Sequence, residues 1–310
     1  MKHLLSIKDL KRAEISTIIL HALKIKRNPQ RYSKSLYQKT LLMMFQAPSL
    51  RTRLSFEVAM TQMGGNAINY DLSMSPWERG KETIEDSAKV ISRYCDFIMA
   101  RIYNHKDLEK LALNSSIPVI NGLTNFEHPC QILGDFLTIV EKRAKLSGLK
   151  LAYLGDGNNN VTHSLLYGCS ISGMDISISC PKSKNFSPLS KVVQESKKIA
   201  ESSGSKVIIT NQPRLAVKDA DILYTDSWMS YRINPKEKNK RIKILKSYQV
   251  NKKLMNSAKP GTLFMHCLPA LREQEVTSDV IDSKNSVVFD QAENRLHIQK
   301  ALLIWLLKKD

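Results

Sequence analysis

The 310-residue chain has only five cysteines, Cys95, Cys130, Cys169, Cys180 and Cys267, and no two of them form a CxxC pair. Their spacing matches neither a zinc site nor a disulfide framework, so reduced thiols and no bound metal are expected. No apolar run reaches the roughly 18 residues of a membrane span. The opening MKHLLSIKDLKRAEIS is too polar for a signal peptide, which makes a cytoplasmic protein the expectation. Internal repeats, low-complexity tracts and linkers are also missing. Acidic side chains are scarce, 29 against 47 basic ones, for a net charge of +18. No tract of five or more basic residues stands out, and the lysines scatter through stretches such as NPKEKNKRIKILKSYQVNKK. A lysine-rich solvated surface accounts for that charge, with neither nucleic acid nor membrane as partner.

What is present is ordinary globular composition, 42% apolar and 25% charged, in a chain long enough for two domains. Ten short runs rich in aliphatic or β-branched residues recur: LLMMF, NAINY, DFIMA, PVING, LKLAYLG, DISIS, KVIIT, ADILYT, TLFMH and SVVFD. Segments of helical periodicity separate most of them. That alternation predicts an α/β protein with doubly wound parallel sheets covered by helices. The pattern pauses at FLTIVEKRAKLSGLK, which puts a domain boundary near residue 145, giving domains 1–145 and 146–290. The last segment, 291–310, reads as a long helix with Leu296, Leu303 and Leu307 near one face.

Ligands of open α/β sheets bind beyond the carboxyl ends of the strands, so the polar residues there are the ones to interrogate. After LLMMF come Ser49, Arg51, Thr52 and Arg53 at a helix start. Arginines in a first turn oppose the helix dipole. A dianionic phosphate on the exposed N–H groups, gripped by both guanidinium groups, would reverse that penalty. Arg101 follows DFIMA, and Pro129 after PVING suits the first position of a helix, placing His128 at its cap and Gln131 in its first turn.

The second half opens with LAYLGDGNNNVTHSLL, a strand, a turn and a helix. Gly155 and Gly157 begin a dinucleotide fingerprint, but Asn160 occupies the third glycine's place and Asp175 precedes its strand instead of ending it. This speaks against a nicotinamide-linked dehydrogenase and leaves the asparagines free to offer amides to a substrate. Later strand ends supply Asp226 and Ser230, suited to a cationic amine, and Cys267 on a loop shaped by Pro269.

Together SLRTR with SFE, MAR, HPCQ, GDGNNN, TDSW and HCLPA, in that order, resemble the aspartate/ornithine carbamoyltransferase family, and its ornithine members most closely. The resemblance spans nearly the whole chain. It implies transfer of a carbamoyl group from carbamoyl phosphate to the δ-amine of L-ornithine, a step of arginine biosynthesis, without cofactor. It also implies one domain for each substrate, a final helix that returns to the first domain, and a homotrimer or multiple of trimers. Carbamoyl phosphate would meet Ser49, the Leu50 N–H, Arg51, Thr52, Arg53, Arg101, His128, Gln131 and Arg295, with Lys81 lent by a neighbouring subunit. Ornithine would be held by Asn160, Asp226, Ser230 and the backbone of Tyr231, with Cys267 and Leu268 near its amine. Arg51, Arg101, His128, Asp226 and Cys267 are the expected catalytic groups, Cys267 aligning the amine rather than attacking. Three departures bear on the acceptor: Leu50 replaces the usual threonine, Ser230-Tyr231-Arg232 replaces the usual SMG, and Trp77 lies in the interface loop. Acetylornithine, succinylornithine and putrescine are the alternatives; Asp226 argues against aspartate.

Overall fold

A computed structural model describes residues 2–229 and 233–307. The chain divides into two compact units, Met1–Leu137 with Glu293–Asp310, and Thr138–Ala292. Both divisions fall inside helices, Pro129–Arg143 and Val288–Leu307, rather than in the Ser147-Gly148 turn where the sequence pattern pauses. A long helix crosses such a division without any break in its apolar periodicity.

The first unit contains a four-stranded parallel sheet made of β1 (Thr40–Phe45), β2 (Asn66–Asp71), β3 (Phe97–Arg101) and β4 (Val119–Leu123), in the order β2-β1-β3-β4. The second contains a five-stranded parallel sheet of β5 (Lys150–Leu154), β6 (Asp175–Ser179), β7 (Val207–Thr210), β8 (Ile222–Thr225) and β9 (Leu263–His266), in the order β7-β6-β5-β8-β9. Interior strands β1, β3, β5 and β8 are apolar and almost wholly buried, because helices cover both faces of a parallel sheet. Edge strands β2 and β7 keep exposed positions on both faces.

Nine of the ten predicted strands are present. SVVFD is not one: Ser286 alone bridges to Phe264, and Val288 already begins the terminal helix. An apolar run this short cannot distinguish a buried strand from a buried helix start.

Chain order reverses between β1 and β3 in one sheet and between β5 and β8 in the other. Adjacent connections then leave in opposite directions and open a crevice at the carboxyl ends of those strands. The residues after β1, β3, β5 and β8 therefore sit where ligands of such sheets are held.

Candidate active site

In the first unit, Ser49 caps the helix Leu50–Gln62 by accepting the Thr52 N–H at 3.3 Å. The two arginines of that first turn separate. Arg51 lies close to His128, whereas Arg53 is exposed and its Nε donates to Glu57 Oε2 at 3.2 Å, one turn along the outer face. Side chains two positions apart on a helix point about 200° from one another, so one ligand cannot face both. The expectation that Arg53 joins Arg51 on the anion is corrected accordingly.

Arg101 ends β3 where its register with β4 shifts between Ala100 and Arg101. Irregular pairing of this kind re-aims a side chain beside a site. The loop before the helix Pro129–Arg143 is fixed by Glu127, fully buried, which accepts from the Ser6 hydroxyl and from the Ile7 N–H at 3.2 Å. It carries His128, whose protonation is disfavoured by burial first and then by the guanidinium groups of Arg295, Arg101 and Arg51. Arg295 donates to the Gln131 side chain, Gln131 donates to Asp135 at 2.8 Å, and a long contact of 3.5 Å joins Arg295 to the Thr52 hydroxyl. Three guanidinium groups thus share the surroundings of one neutral imidazole. Such a concentration of positive charge around a capped helix start suits a dianion.

Leu50 contributes no side chain there, being 70% exposed. Lys81 is exposed on a turn closed by its N–H to the Pro76 carbonyl at 2.8 Å. Trp77 packs against the apolar cluster of Leu72, Ile84 and Ile98 in its own unit.

In the second unit, Asn159 caps the helix Asn160–Ser172 by accepting the Thr162 N–H at 2.8 Å, so Asn160 opens it. The glycines of GDGNNN serve packing: a Cβ on Gly155 would come 3.1 Å from Trp228 Nε1, and one on Gly157 would come 2.8 Å from the Phe186 carbonyl. Asp175, the acid sought for a nucleotide ribose, begins β6 and accepts the Lys206 N–H at 2.8 Å. After β8, Asp226 accepts from the Cys267 thiol at 2.9 Å and from the Ser227 N–H at 2.7 Å. Ser230 and Tyr231 lie outside the described residues.

His266 is fully buried between Cys267 and Glu275; its Nδ1 accepts the Leu268 N–H at 2.9 Å and its Nε2 is 3.4 Å from Glu275 Oε1. Donor atoms of Asp226, His266 and Cys267 lie within 4.8 Å of one another, the one such cluster among the described residues. Within the trio the Cys267 thiol donates to Asp226, and the His266 ring holds the next residue, Leu268, through its N–H.

The first unit gathers guanidinium groups at its switch point, and the second sets Asp226, which accepts from the Cys267 thiol, at its own. Two family models match the chain, the "Aspartate/ornithine carbamoyltransferase, carbamoyl-P binding domain" over residues 2–141 and the "Asp/Orn binding domain" over 147–306. The chain belongs to the aspartate/ornithine carbamoyltransferase family. Among relatives in this family, the ornithine carbamoyltransferase of Pyrococcus abyssi is 49% identical over 308 residues, 99% of this chain and 96% of that protein. The Bacillus subtilis ornithine carbamoyltransferase is 48% identical, covering 99% and 94%. Among solved carbamoyltransferase structures, the Pyrococcus furiosus ornithine carbamoyltransferase superposes with a TM-score of 0.92 at 48% identity, covering 97% and 96% of the two chains. The Giardia lamblia ornithine transcarbamoylase gives 0.91 at 38% identity, covering 99% and 98%.

Sequence reasoning overlooked Arg241, Asp156, His266 and Glu275. Arg241 was hidden in a run whose lysines read as solvated surface, and its only signal is Leu245 one turn later, both being buried.

Proposed function

We propose that this protein transfers the carbamoyl group of carbamoyl phosphate to the δ-amine of L-ornithine, yielding L-citrulline and phosphate. The observation that carries the reading is the gathering of Arg51, Arg101 and Arg295 around neutral His128 beside the Ser49-capped helix. The naming of relatives at 49% and 48% identity as ornithine carbamoyltransferases agrees with it.

Carbamoyl phosphate is assigned to Ser49, the Leu50 N–H, Arg51, Thr52, Arg101, His128, Gln131 and Arg295. Ornithine is assigned to Asn160 and Asp226, to Ser230 and Tyr231, and to the Cys267-Leu268 segment. An amine with a pKa of about 10.4 costs roughly 4 to 5 kcal/mol to deprotonate at pH 7. Asp226 attracts the cationic substrate, and the positive charge of the carbamoyl phosphate site favours the neutral form of the amine that reacts there. Attack on the carbamoyl carbon forms the C–N bond and moves charge onto the carbonyl oxygen, which Thr52, Arg101 and neutral His128 stabilise. Collapse breaks the C–O bond, the proton of the attacking nitrogen passes to the departing phosphate, and that phosphate leaves with Arg51. The thiol of Cys267 holds the amine in line through Asp226.

The same reading makes the enzyme a cytoplasmic homotrimer, or a multiple of trimers, serving arginine biosynthesis, with Lys81 reaching a neighbouring subunit's site. Support comes from apolar side chains that a monomer would leave in water: Leu50, Leu54, Ile68 and Met74 in the first unit are 49–70% exposed. No helix among the described residues is long and apolar enough to cross a membrane.

The test supplies carbamoyl phosphate with ornithine, acetylornithine, succinylornithine, putrescine or aspartate in turn and follows phosphate release. Ornithine is expected to be turned over fastest. Preference for an acylated ornithine or putrescine would reassign the acceptor, and release with none of them would sink the reading.

A further inference from the structure

Resting on the acceptor site proposed above, the geometry points to Arg241 as a positioning residue that locks together the two strand-end segments holding the amine substrate. Arg241 belongs to the helix Lys238–Leu245, where only it and Leu245 are buried. Its surroundings are a small apolar cluster of Phe186, Trp228, Leu245 and Tyr248, set apart from the main core of the unit. Inside that cluster its guanidinium does three things. One Nη donates to Asp156 Oδ2, Nε donates to the Trp228 carbonyl at 2.9 Å, and the plane lies 4.7 Å from the Phe186 ring centre.

Each partner leads to one side of the crevice. Asp156 lies in the turn after β5; its Oδ1 accepts the Asn158 N–H at 2.9 Å and its carbonyl accepts from Asn159 Nδ2 at 2.7 Å. Asn159 in turn caps the helix that Asn160 opens. Trp228 lies two residues beyond Asp226, after β8. One side chain therefore fixes the Asn160 turn and the Asp226 turn with respect to each other, across the point where chain order reverses. Gly155 and Gly157 leave the space that Trp228 and Phe186 occupy around it.

Stability alone gives a poor account of this arrangement. Buried ion pairs recover little beyond their desolvation cost, and apolar replacements of similar volume are often as stable. Lysine could not replace it, because only the guanidinium fork serves a carboxylate and a carbonyl while stacking on a ring.

The test compares Arg241→Met, Arg241→Lys and the double variant Arg241→Met/Asp156→Asn with wild type, reading the thermal midpoint and the KM for each substrate. Arg241→Met is expected to raise the ornithine KM by about tenfold or more, the loss of charge-assisted contacts, and the carbamoyl phosphate KM by no more than about twofold. It should also lower the midpoint by taking the Arg241 guanidinium away from the buried Asp156 carboxylate. The double variant removes the buried carboxylate charge as well, so its midpoint should recover while its ornithine KM stays high; Arg241→Lys should fall between. Should Arg241→Met fail to fold, the double variant carries the comparison. Recovery of the ornithine KM along with the midpoint, or a wild-type ornithine KM in all three, would overturn the assignment. Wild-type turnover measured alongside separates the two ideas: its absence with ornithine defeats the acceptor reading and this one together, whereas unaltered variants of an active enzyme defeat only this one.

Discussion

Arg51 and Arg53 occupy the same helix two residues apart, and the structure assigns them opposite fates, which makes the pair a sharp test of the anion site. Arg51→Met removes one of three guanidinium groups around His128. A charge-assisted hydrogen bond contributes about 1.5 to 3 kcal/mol, so phosphate binding should weaken by roughly 10- to 150-fold. If the contact strengthens as phosphate leaves, turnover should fall as well, since removing one such donor typically costs about 3 to 4 kcal/mol. The fold should not suffer, because a cation in the first turn opposes the helix dipole and its removal is neutral or mildly stabilising. Arg53→Met removes only an exposed pair with Glu57; pairs of that type contribute about 0.3 to 0.5 kcal/mol, and phosphate affinity should stay within about threefold. Calorimetric titration with inorganic phosphate, then kcat/KM with carbamoyl phosphate, gives both numbers. Equal losses in the two variants, or an Arg51→Met protein that binds phosphate like wild type, would refute the reasoning.

Two further outcomes are expected. His128 has its proton affinity depressed in the folded protein, so at pH values just below about 6.5 the unfolded chain binds a proton that the native one does not. Stability from this residue is therefore present above that pH and lost as pH falls, by about 1.4 kcal/mol per unit. Compared by urea unfolding at pH 7.5, 6.5 and 5.5, the advantage of wild type over His128→Gln should shrink towards acid; parallel curves would mean that His128 takes up its proton at the same pH in the native and unfolded states. Asp226→Asn should raise the ornithine KM by about tenfold or more, through loss of charge-assisted binding. It should leave the carbamoyl phosphate KM nearly unchanged, and a matching rise in both constants would remove Asp226 from the acceptor half of the site.

The sequence by itself determined the parallel-sheet architecture, because buried strands need continuous apolar runs and covering helices need a 3.6-residue period, and both are local patterns. It also singled out Ser49, Arg51, Arg101, His128, Asn160, Asp226 and Cys267 as candidates, because ligands of open parallel sheets bind beyond the carboxyl ends of the strands. Tertiary structure decided what local pattern leaves open. Strand order, and with it the two crevices, depends on pairings between residues far apart in the chain. Residues 286–290 were free to be strand or helix until one bridge and the start of a long helix settled them. Arg53 turned outward to Glu57 by helix geometry. Arg241, one basic residue among many in the sequence, became a buried connector only because Asp156 and the Trp228 carbonyl come to meet it. Charge is visible in a sequence; whether water or another part of the chain will satisfy it is a property of the folded molecule.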